Sequence, residues 1–345
     1  MSINKILFDE IIDYFYKYDL DYSDLNKFIF SSATFLERQQ LAITIIEDIM
    51  AVHGKKNLQK NIAKLAKIEH EIKELEPWVR DHVVHALLSY ILGIYINEKY
   101  LVTCKVNDFQ WKLASLFHDI GYPAQIAKDL LKIFADPIND IKKELGLSVP
   151  DIYFQTIPIG LEKLCNNKNT LKLFQKCFDK WAIEINAQSE FNKMIESGEI
   201  CHGIISALSL VYVIDLLYQK YNPSRKYKDI RAVEDNTSWN QNYFEKDVIQ
   251  AGAAIFLHNL PMECFLKSKI DRKKAPLAFL LKLSDCLQEW ERPSLDNING
   301  FPSSKFDIKI EKERLILKAD ISIDRKQKIQ NEINSILIAD DITFC

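Results

Sequence analysis

Residues that form tight turns are scarce in this chain, and this scarcity restricts its fold more than any other feature. Only 9 glycines and 10 prolines occur among 345 residues, while 48% of the residues are apolar. A sandwich or barrel of short strands needs a turn roughly every 8–12 residues. The sequence therefore predicts a mainly α-helical protein with a sizeable buried core.

The chain divides into three predicted parts. Residues 1–73 have apolar positions three and four apart, which predicts a helical extension, with a lysine-rich connector at about 54–67. Residues 74–293 contain at least five strong helical segments and form the predicted main domain. Residues 294–345 alternate apolar and polar side chains around a turn near Glu313, followed by a short helix from about Arg325. This last part predicts a small α/β appendage.

Three helices of the main domain have ends that the sequence predicts. Pro77 is expected in the first turn of one helix, and Pro276 opens another that must stop before Pro293. The segment NDFQWKLASLFHDIGYP has Asn107 or the next residue as its candidate cap, and it breaks at Gly121. Between residues 136 and 199 the looser pattern and three prolines predict loops and short helices.

Charge and cysteine content exclude several classes of protein. The 45 basic and 48 acidic residues leave a formal charge of −3, so no strong nucleic-acid signal is present and no overall field favours an anionic membrane. The N-terminal residues do not resemble a signal peptide, and no stretch approaches the ~20 apolar residues of a membrane span. Seven cysteines without CxxC spacing predict neither a disulfide framework nor a zinc knuckle. We therefore expect a cytoplasmic protein.

Five of the seven histidines occur within apolar helical segments, where solvated residues are not expected. These five are His82, His85, His118, His202 and His258. One such histidine is more often an ordinary core residue, and five ordinary ones would indicate a helical scaffold. Burying so many titratable groups is costly, however, unless a cation or a hydrogen-bond network compensates them. Their number therefore favours a divalent metal site.

Two carboxylates complete the candidate site. Asp119 follows His118 directly, about 100° further round a helix, so both can reach one ion, or bridge two, only from a helix end that lines a cavity. Asp285 follows an apolar run within a helix, where aspartates are uncommon without a partner. The alternative for Asp285 is a structural cap or an ion pair with a lysine.

Several segments together resemble the HD superfamily of metal-dependent phosphohydrolases. The doublet in LFHDIG is joined, in the family's order, by RDHVVHALLSYILG, CHGIISALSL, AIFLHN and FLLKLSDCLQEW, over residues 74–293. The resemblance implies an HD-type helical bundle whose core metal ligands are His85, His118, Asp119 and Asp285. It further implies that His202 and His258 bind a second metal or steady the substrate phosphate.

His82 and Cys201 lie within the segments that carry the resemblance. His82 lies one turn before His85, so it is an orienting residue, a phosphate contact or the alternative ligand. Cys201 comes just before His202, at a position where similar sequences often carry an acid. This departure from the family's pattern counts against a complete ligand set for a second metal.

The resemblance implies water activated by one or two divalent ions (Mn, Fe, Mg, Co, Ni or Zn) and attacking phosphorus. We expect Asp119, His118 and His82 to act in catalysis. The residues expected to bind the substrate are Arg80, His202, Lys282 and Arg292. The substrate is expected to be a phosphorylated small molecule, with a nucleotide or cyclic nucleotide preferred.

The aromatic residues Trp290 and Tyr122 could stack on a base, although core packing is the commoner role. The alternative function is a nucleotide-signal-binding or protein-interaction module with a degenerate site. Related enzymes assemble into dimers or larger oligomers, so a homo-oligomer is possible, although no feature of the sequence marks an interface.

Overall fold

The computed structural model describes most of the chain in separate stretches. These are residues 3–30, 35–53, 55, 58, 64, 81–144, 150, 160–165, 169–221, 230–232, 237–239, 243–288, 306–311, 314–319 and 321–344. Within them the protein is mainly helical, with twelve α-helices and a small three-stranded sheet near the C-terminus. The prediction of a mainly α-helical protein is therefore confirmed. The expected domain boundaries at 73/74 and 293/294 lie outside the described residues.

Three helices form the N-terminal part, as the sequence predicts. They are α1 (Ile3–Lys17), α2 (Ser23–Phe30) and α3 (Phe35–Ala51). Helices α1 and α3 both pack against the first helix of the central part, α4 (His82–Lys99). Most of the lysine-rich connector lies outside the described residues, as does Pro77. The prediction that Pro77 lies in the first turn of this helix is wrong, because Asp81 is the N-cap and α4 begins five residues after Pro77. Helix α4 begins at His82 because the carboxylate of Asp81 accepts hydrogen bonds from the first free backbone N–H groups.

The central part continues with seven more helices. They are α5 (Asp108–Phe117), α6 (Tyr122–Glu144), α7 (Thr170–Lys180), α8 (Ala187–Ser197), α9 (His202–Tyr221), α10 (Ile249–His258) and α11 (Pro276–Leu287). A π-helical turn, Phe244–Val248, leads into α10, and short 3-10 turns occupy Leu161–Cys165 and Met262–Phe265. Helix α10 is the centre of the core, since it packs against α5, α7, α9 and α11 and almost every one of its side chains is buried.

Predicted helix ends in this part are mostly confirmed. The side chain of Asn107 caps α5, Pro276 opens α11, and α11 ends well before residue 293. The prediction of loops and short helices from residue 136 is wrong at its start, because α6 runs through Pro137 to Glu144. Proline removes one backbone hydrogen bond and favours a kink, but a helix with an amphipathic pattern on both sides of it can continue.

The C-terminal part contains more structure than the sequence predicts. Strands β3 (Phe306–Glu311) and β4 (Arg314–Ala319) form the expected antiparallel pair, and α12 (Ile323–Ile336) follows. A third strand, β5 (Ile342–Phe344), pairs in parallel with β4. Helix α12 packs against α11, so this segment adjoins the central helices. The residues of the turn near Glu313 lie outside the described residues.

A separate two-stranded ribbon, β1 (Ile230–Ala232) and β2 (Thr237–Trp239), lies between α9 and α10. No single helix in the described stretches is long and apolar enough to cross a membrane. Helix α8 and the first part of α9 meet that criterion only as a pair, with a bend of 116° between them.

Candidate metal centre

The six predicted metal ligands come together at the ends of five helices. His85 lies in the first turn of α4, and His118 and Asp119 directly follow α5. His202 is the first residue of α9 and His258 the last of α10, while Asp285 lies near the end of α11. The side chains of His85, His118, Asp119 and His258 are less than a tenth exposed. His202 is also buried. Only Asp285 keeps a substantial exposed fraction, 23% of its side chain.

Two glycines allow the helix ends to approach so closely. A Cβ atom on Gly121 would lie 2.7 Å from the carbonyl oxygen of His202, and the Gly121 N–H donates to the Ser206 hydroxyl at 2.8 Å. A Cβ atom on Gly203 would lie 3.0 Å from Nδ1 of His258. The turn after α5, the start of α9 and the end of α10 therefore meet at distances that larger residues would prevent.

The first group of candidate ligands consists of His85, His118 and Asp285. The Nε2 atoms of the two histidines are 3.2 Å apart, and Oδ1 of Asp285 is 3.0 Å from the first and 3.9 Å from the second. These three ligand atoms lie within 4.8 Å of one another, as do those of an overlapping set formed by His118, Asp119 and His258. Either set has the spacing of atoms that share one ion.

The second group consists of His202 and His258, whose Nε2 atoms are also 3.2 Å apart. Oδ1 of Asp119 lies 3.2 Å and 3.5 Å from these two atoms. The other carboxylate oxygen of Asp119, Oδ2, lies 3.4 Å from Nε2 of His118 and 3.8 Å from Nε2 of His85. Asp119 therefore lies between the two histidine pairs, with one oxygen directed to each.

Hydrogen bonds at the opposite side of each ring determine which nitrogen carries the proton. Nδ1 of His118 lies 2.7 Å from the carbonyl of Ser115, and Nδ1 of His258 lies 2.6 Å from that of Ile255. A carbonyl oxygen only accepts, so Nδ1 is the protonated nitrogen in both rings. Their Nε2 atoms consequently present lone pairs to the cluster, the form in which imidazole binds a metal.

Two glutamines play the same part for the other two rings, and sequence reasoning missed both. Oε1 of Gln288 lies 2.5 Å from Nδ1 of His85. Oε1 of Gln125 lies 2.7 Å from Nδ1 of His202, which is closer than the amide nitrogen of Asn259 at 3.0 Å. The signal for Gln288 was its position three residues after Asp285, whereas nothing in the sequence singles out Gln125.

Burial and the neighbouring side chains act in opposite directions on the pKa values of the cluster. Burial opposes ionisation of Asp119, but His118, His202 and His258 outweigh it and lower its pKa well below the ordinary value. For Asp285 burial is likewise outweighed, chiefly by His85, and the pKa falls well below its usual range. Burial lowers the pKa of His258, against the hydrogen bond to Asp119. Ionised carboxylates and a neutral His258 are the protonation states of metal ligands.

These residues fit a metal ion. Lone pairs that face one another at 3.2 Å repel, and so does a lone pair of His85 that faces a carboxylate oxygen at 3.0 Å. A cation between such groups converts the repulsion into coordination. The donor set of imidazole nitrogens and carboxylate oxygens is one that divalent transition metals accept. The buried cluster of histidines and aspartates could therefore hold a metal ion.

His82 lies beside the cluster, with its Nε2 atom 4.0 Å from Oδ2 of Asp119. Its ring packs on Tyr122, with 3.7 Å between the ring centroids, and Tyr122 also contacts the edge of His202. His82 is slightly further from Oδ2 of Asp119 than His85, at 3.8 Å, and it belongs to neither set of three ligand atoms within 4.8 Å of one another. Tyr122 stacks on a histidine in this structure.

The predicted substrate contacts have different outcomes. His202 belongs to the cluster, whereas Arg80 and Arg292 lie outside the described residues, as does Trp290. The ammonium of Lys282 is buried and donates to the carbonyl of His258 at 2.9 Å and to Glu332 at 2.5 Å. Burial lowers the pKa of Lys282, but nearby Cys286, Glu332 and Asp285 outweigh it, so the pKa lies above its ordinary value.

Cys201 lies outside the two ligand groups. Its thiol donates to the backbone carbonyl of Asn259 at 3.6 Å, and burial raises its pKa. The neutral thiol therefore helps to hold the start of α9 against the end of α10. An acid at this position would be expected to contribute charge to the site, and Cys201 contributes none.

Comparisons of the chain with protein-family models, with curated proteins and with solved structures found no match.

Proposed function

We propose that this protein is a metal-dependent phosphohydrolase that acts on a phosphate ester or anhydride, with a nucleotide or cyclic nucleotide as substrate. One observation supports the proposal most strongly. Imidazole Nε2 atoms face each other at 3.2 Å in two pairs, and the carboxylate of Asp119 lies between the two pairs. Two adjacent cations would account for this arrangement. The resemblance of the ligand-bearing segments to the HD superfamily supports the phosphohydrolase reaction.

The ligands would divide into two groups. His85, His118 and Asp285 would hold one ion and His202 and His258 a second, while each carboxylate oxygen of Asp119 faces one of these groups. When bound, divalent ions supply Lewis acidity that neutralises phosphoryl charge and activates water. Four imidazole ligands favour a transition metal such as Mn²⁺, Fe²⁺, Co²⁺, Ni²⁺ or Zn²⁺ over Mg²⁺.

The chain's own groups would orient the reactants. The carbonyls bonded to Nδ1 of His118 and His258 keep both rings directed into the site. His82, 4.0 Å from Asp119, is close enough to steady that carboxylate or to accept a proton at Nε2. The other ligand side chains are almost fully buried while Asp285 is 23% exposed, so we expect the phosphate to approach from the side of Asp285.

Elemental analysis followed by a phosphate-release screen tests the proposal. The wild type should carry about one or two transition metals per chain and release phosphate from at least one nucleotide in the presence of Mn²⁺, Mg²⁺ or Co²⁺. The double variant His118→Ala, Asp119→Ala should do neither. The matched control is His53→Gln, because His53 lies in a different polar cluster with Lys112 and Asp108.

Each outcome of this test has a definite meaning. A wild type that binds no metal would refute the metal site and the proposed reaction together. Metal bound without turnover of any nucleotide or simple phosphate ester would refute the hydrolase and favour the nucleotide-binding or protein-interaction module. Equal loss in the His53→Gln variant would indicate that general destabilisation, and not loss of ligands, explains the double variant.

A further inference from the structure

Lys282 connects the C-terminal helix to one of the candidate metal ligands. It lies three residues before Asp285 on α11, and only 4% of its side chain is exposed. Its ammonium contacts two groups from other elements, the backbone carbonyl of His258 on α10 and the carboxylate of Glu332 on α12. Three helices are therefore joined at one buried ammonium, next to the candidate metal ligands.

The carbonyl of His258 is a group that needs such a donor. His258 is the last residue of α10, and the final carbonyls of a helix have no partner within the helix. A cation at this end satisfies the carbonyl and interacts favourably with the helix dipole. The imidazole of the same residue donates from Nδ1 to the carbonyl of Ile255. Lys282 thus fixes the backbone of His258 while Ile255 fixes its ring.

Glu332 provides a negative charge that offsets the free-energy cost of burying the Lys282 ammonium. An unpaired ammonium at the position of Lys282 would be strongly destabilising, because its hydration would be lost without compensation. The C-terminal helix α12 contributes Glu332 from the solvent side, where its side chain is 34% exposed. Asp285 also attracts the ammonium, but the carboxylate that contacts Lys282 directly comes from the C-terminal part of the chain.

We infer that Glu332 is a positioning residue for the metal ligand His258, acting through Lys282, so that the C-terminal α/β segment (306–344) is a functional part of the metal centre. The inference rests on the proposed function, since it requires that His258 binds a metal. It also replaces the predicted contact of Lys282 with substrate by a contact with the protein itself.

A second ion pair supplies a matched control. Asp341, just before β5, accepts from Arg272 at 2.5 Å and from the hydroxyl of Tyr100 at 2.6 Å. This pair also attaches the C-terminal segment to the central helices, but it includes none of the candidate ligands or their hydrogen-bond partners. Loss of the Asp341 pair reports on attachment of the segment alone.

The test is titration of the full-length, metal-free protein with Co²⁺, monitored by the visible absorption of the bound ion and by competition with a chelator. Glu332→Gln should weaken binding of Co²⁺ by about 10-fold or more, the usual effect of removing a group that orients a ligand, and should alter the absorption spectrum. Asp341→Asn should leave affinity and spectrum unchanged, even if it lowers the melting temperature of the metal-free protein.

A second variant, without either charge, distinguishes the loss of positioning from simple misfolding of Glu332→Gln. The double variant Lys282→Met, Glu332→Leu removes both charges together, a change that proteins often tolerate. It should fold and still bind Co²⁺ about 10-fold more weakly, because the His258 carbonyl has lost its donor. Wild-type affinity in the folded double variant, or equal weakening in Asp341→Asn, would overturn the inference. A wild type that binds no Co²⁺ would instead overturn the proposed function and, with it, this inference.

Discussion

Replacement of Gly203 by alanine should weaken metal binding, and this loss should add to any effect on the stability of the metal-free protein. The added methyl carbon would lie 3.0 Å from Nδ1 of His258, 3.0 Å from the carbonyl of Ile255 and 3.1 Å from Cβ of Asn259. Two of these atoms form the hydrogen bond that orients the His258 ring. The methyl group therefore disturbs the last turn of α10 at the candidate ligand.

Two opposing effects determine the stability of the metal-free variant. Forcing a methyl group into a packed interior costs about 1–3 kcal/mol, while alanine in place of glycine in a helix recovers about 0.5–1 kcal/mol. The net loss should be roughly 0–2.5 kcal/mol. Metal affinity has no such compensation, and a disturbed orienting hydrogen bond typically reduces it by about 10–100-fold. Each tenfold loss removes about 1.4 kcal/mol of the stabilisation that excess metal provides.

Urea unfolding with and without saturating Mn²⁺ measures both quantities in one assay. The control is Gly252→Ala in α10, the helix that ends at His258, where the methyl group would lie 2.8 Å from Phe174 and 3.0 Å from Val211. The control should lose stability equally with and without metal, whereas Gly203→Ala should lose more when metal is present. Identical losses for Gly203→Ala in the two conditions would refute the reasoning that connects this glycine to His258.

Three further predictions concern the framework around the site. Burial lowers the pKa of Lys112 to about 8, against the attraction of Asp108, from 10.5 in the unfolded chain. The unfolded chain therefore binds more protons between these values, so stability should rise with pH across that window by about 3 kcal/mol. The rise between pH 8 and 10.5, measured by urea unfolding, should be smaller in Lys112→Met than in the wild type by about this amount, while Lys55, whose pKa burial also lowers to about 8, still contributes; an unchanged slope would contradict the burial argument. Asp81→Ala should cost about 1 kcal/mol in unfolding free energy by removing the cap of α4, whereas Asp81→Asn should keep most of it. Gly93→Ala should destabilise by about 1–3 kcal/mol or more, because the new carbon would lie 1.9 Å from the ring of Trp111; an unchanged melting temperature would contradict this.

Local chemistry explains which parts of the fold were predictable. The caps and openings at Asn107 and Pro276 depend on neighbouring residues alone, and the structure has both where the sequence indicates. The strand β5 was missed because three residues are too short for an alternating pattern, and its pairing with β4 is long-range. The continuation of α6 through Pro137 goes against the local preference of proline to end a helix, and Ala135 and Asn139 on either side of it are buried.

The site divides in the same way between local and long-range information. Apolar segments that contain isolated histidines and aspartates identified all six residues of the cluster, since buried titratable groups need a partner. Apart from Gln288, three residues after Asp285, the groups that orient those residues were not predictable, because backbone carbonyls carry no sequence signal and Gln125 reaches His202 from 77 positions away. The contact between Lys282 and Glu332 spans 50 positions and depends on the docking of α12.

Assembly from helix ends explains why the cluster depends on so many distant contacts. A ligand in the middle of a helix is held by the hydrogen bonds of its own helix, whereas a terminal residue has backbone groups without such partners. His118, His202 and His258 all occupy terminal positions, at the end of α5, the start of α9 and the end of α10. The rings of His118 and His258 are oriented by carbonyls of their own helices, but the backbone at these ends is held by other elements, such as Ser206 bonded to the Gly121 N–H and the Lys282 ammonium on the His258 carbonyl. It follows that metal affinity should respond to changes in α9, α11 and α12 that touch no ligand, and respond more strongly than overall stability does.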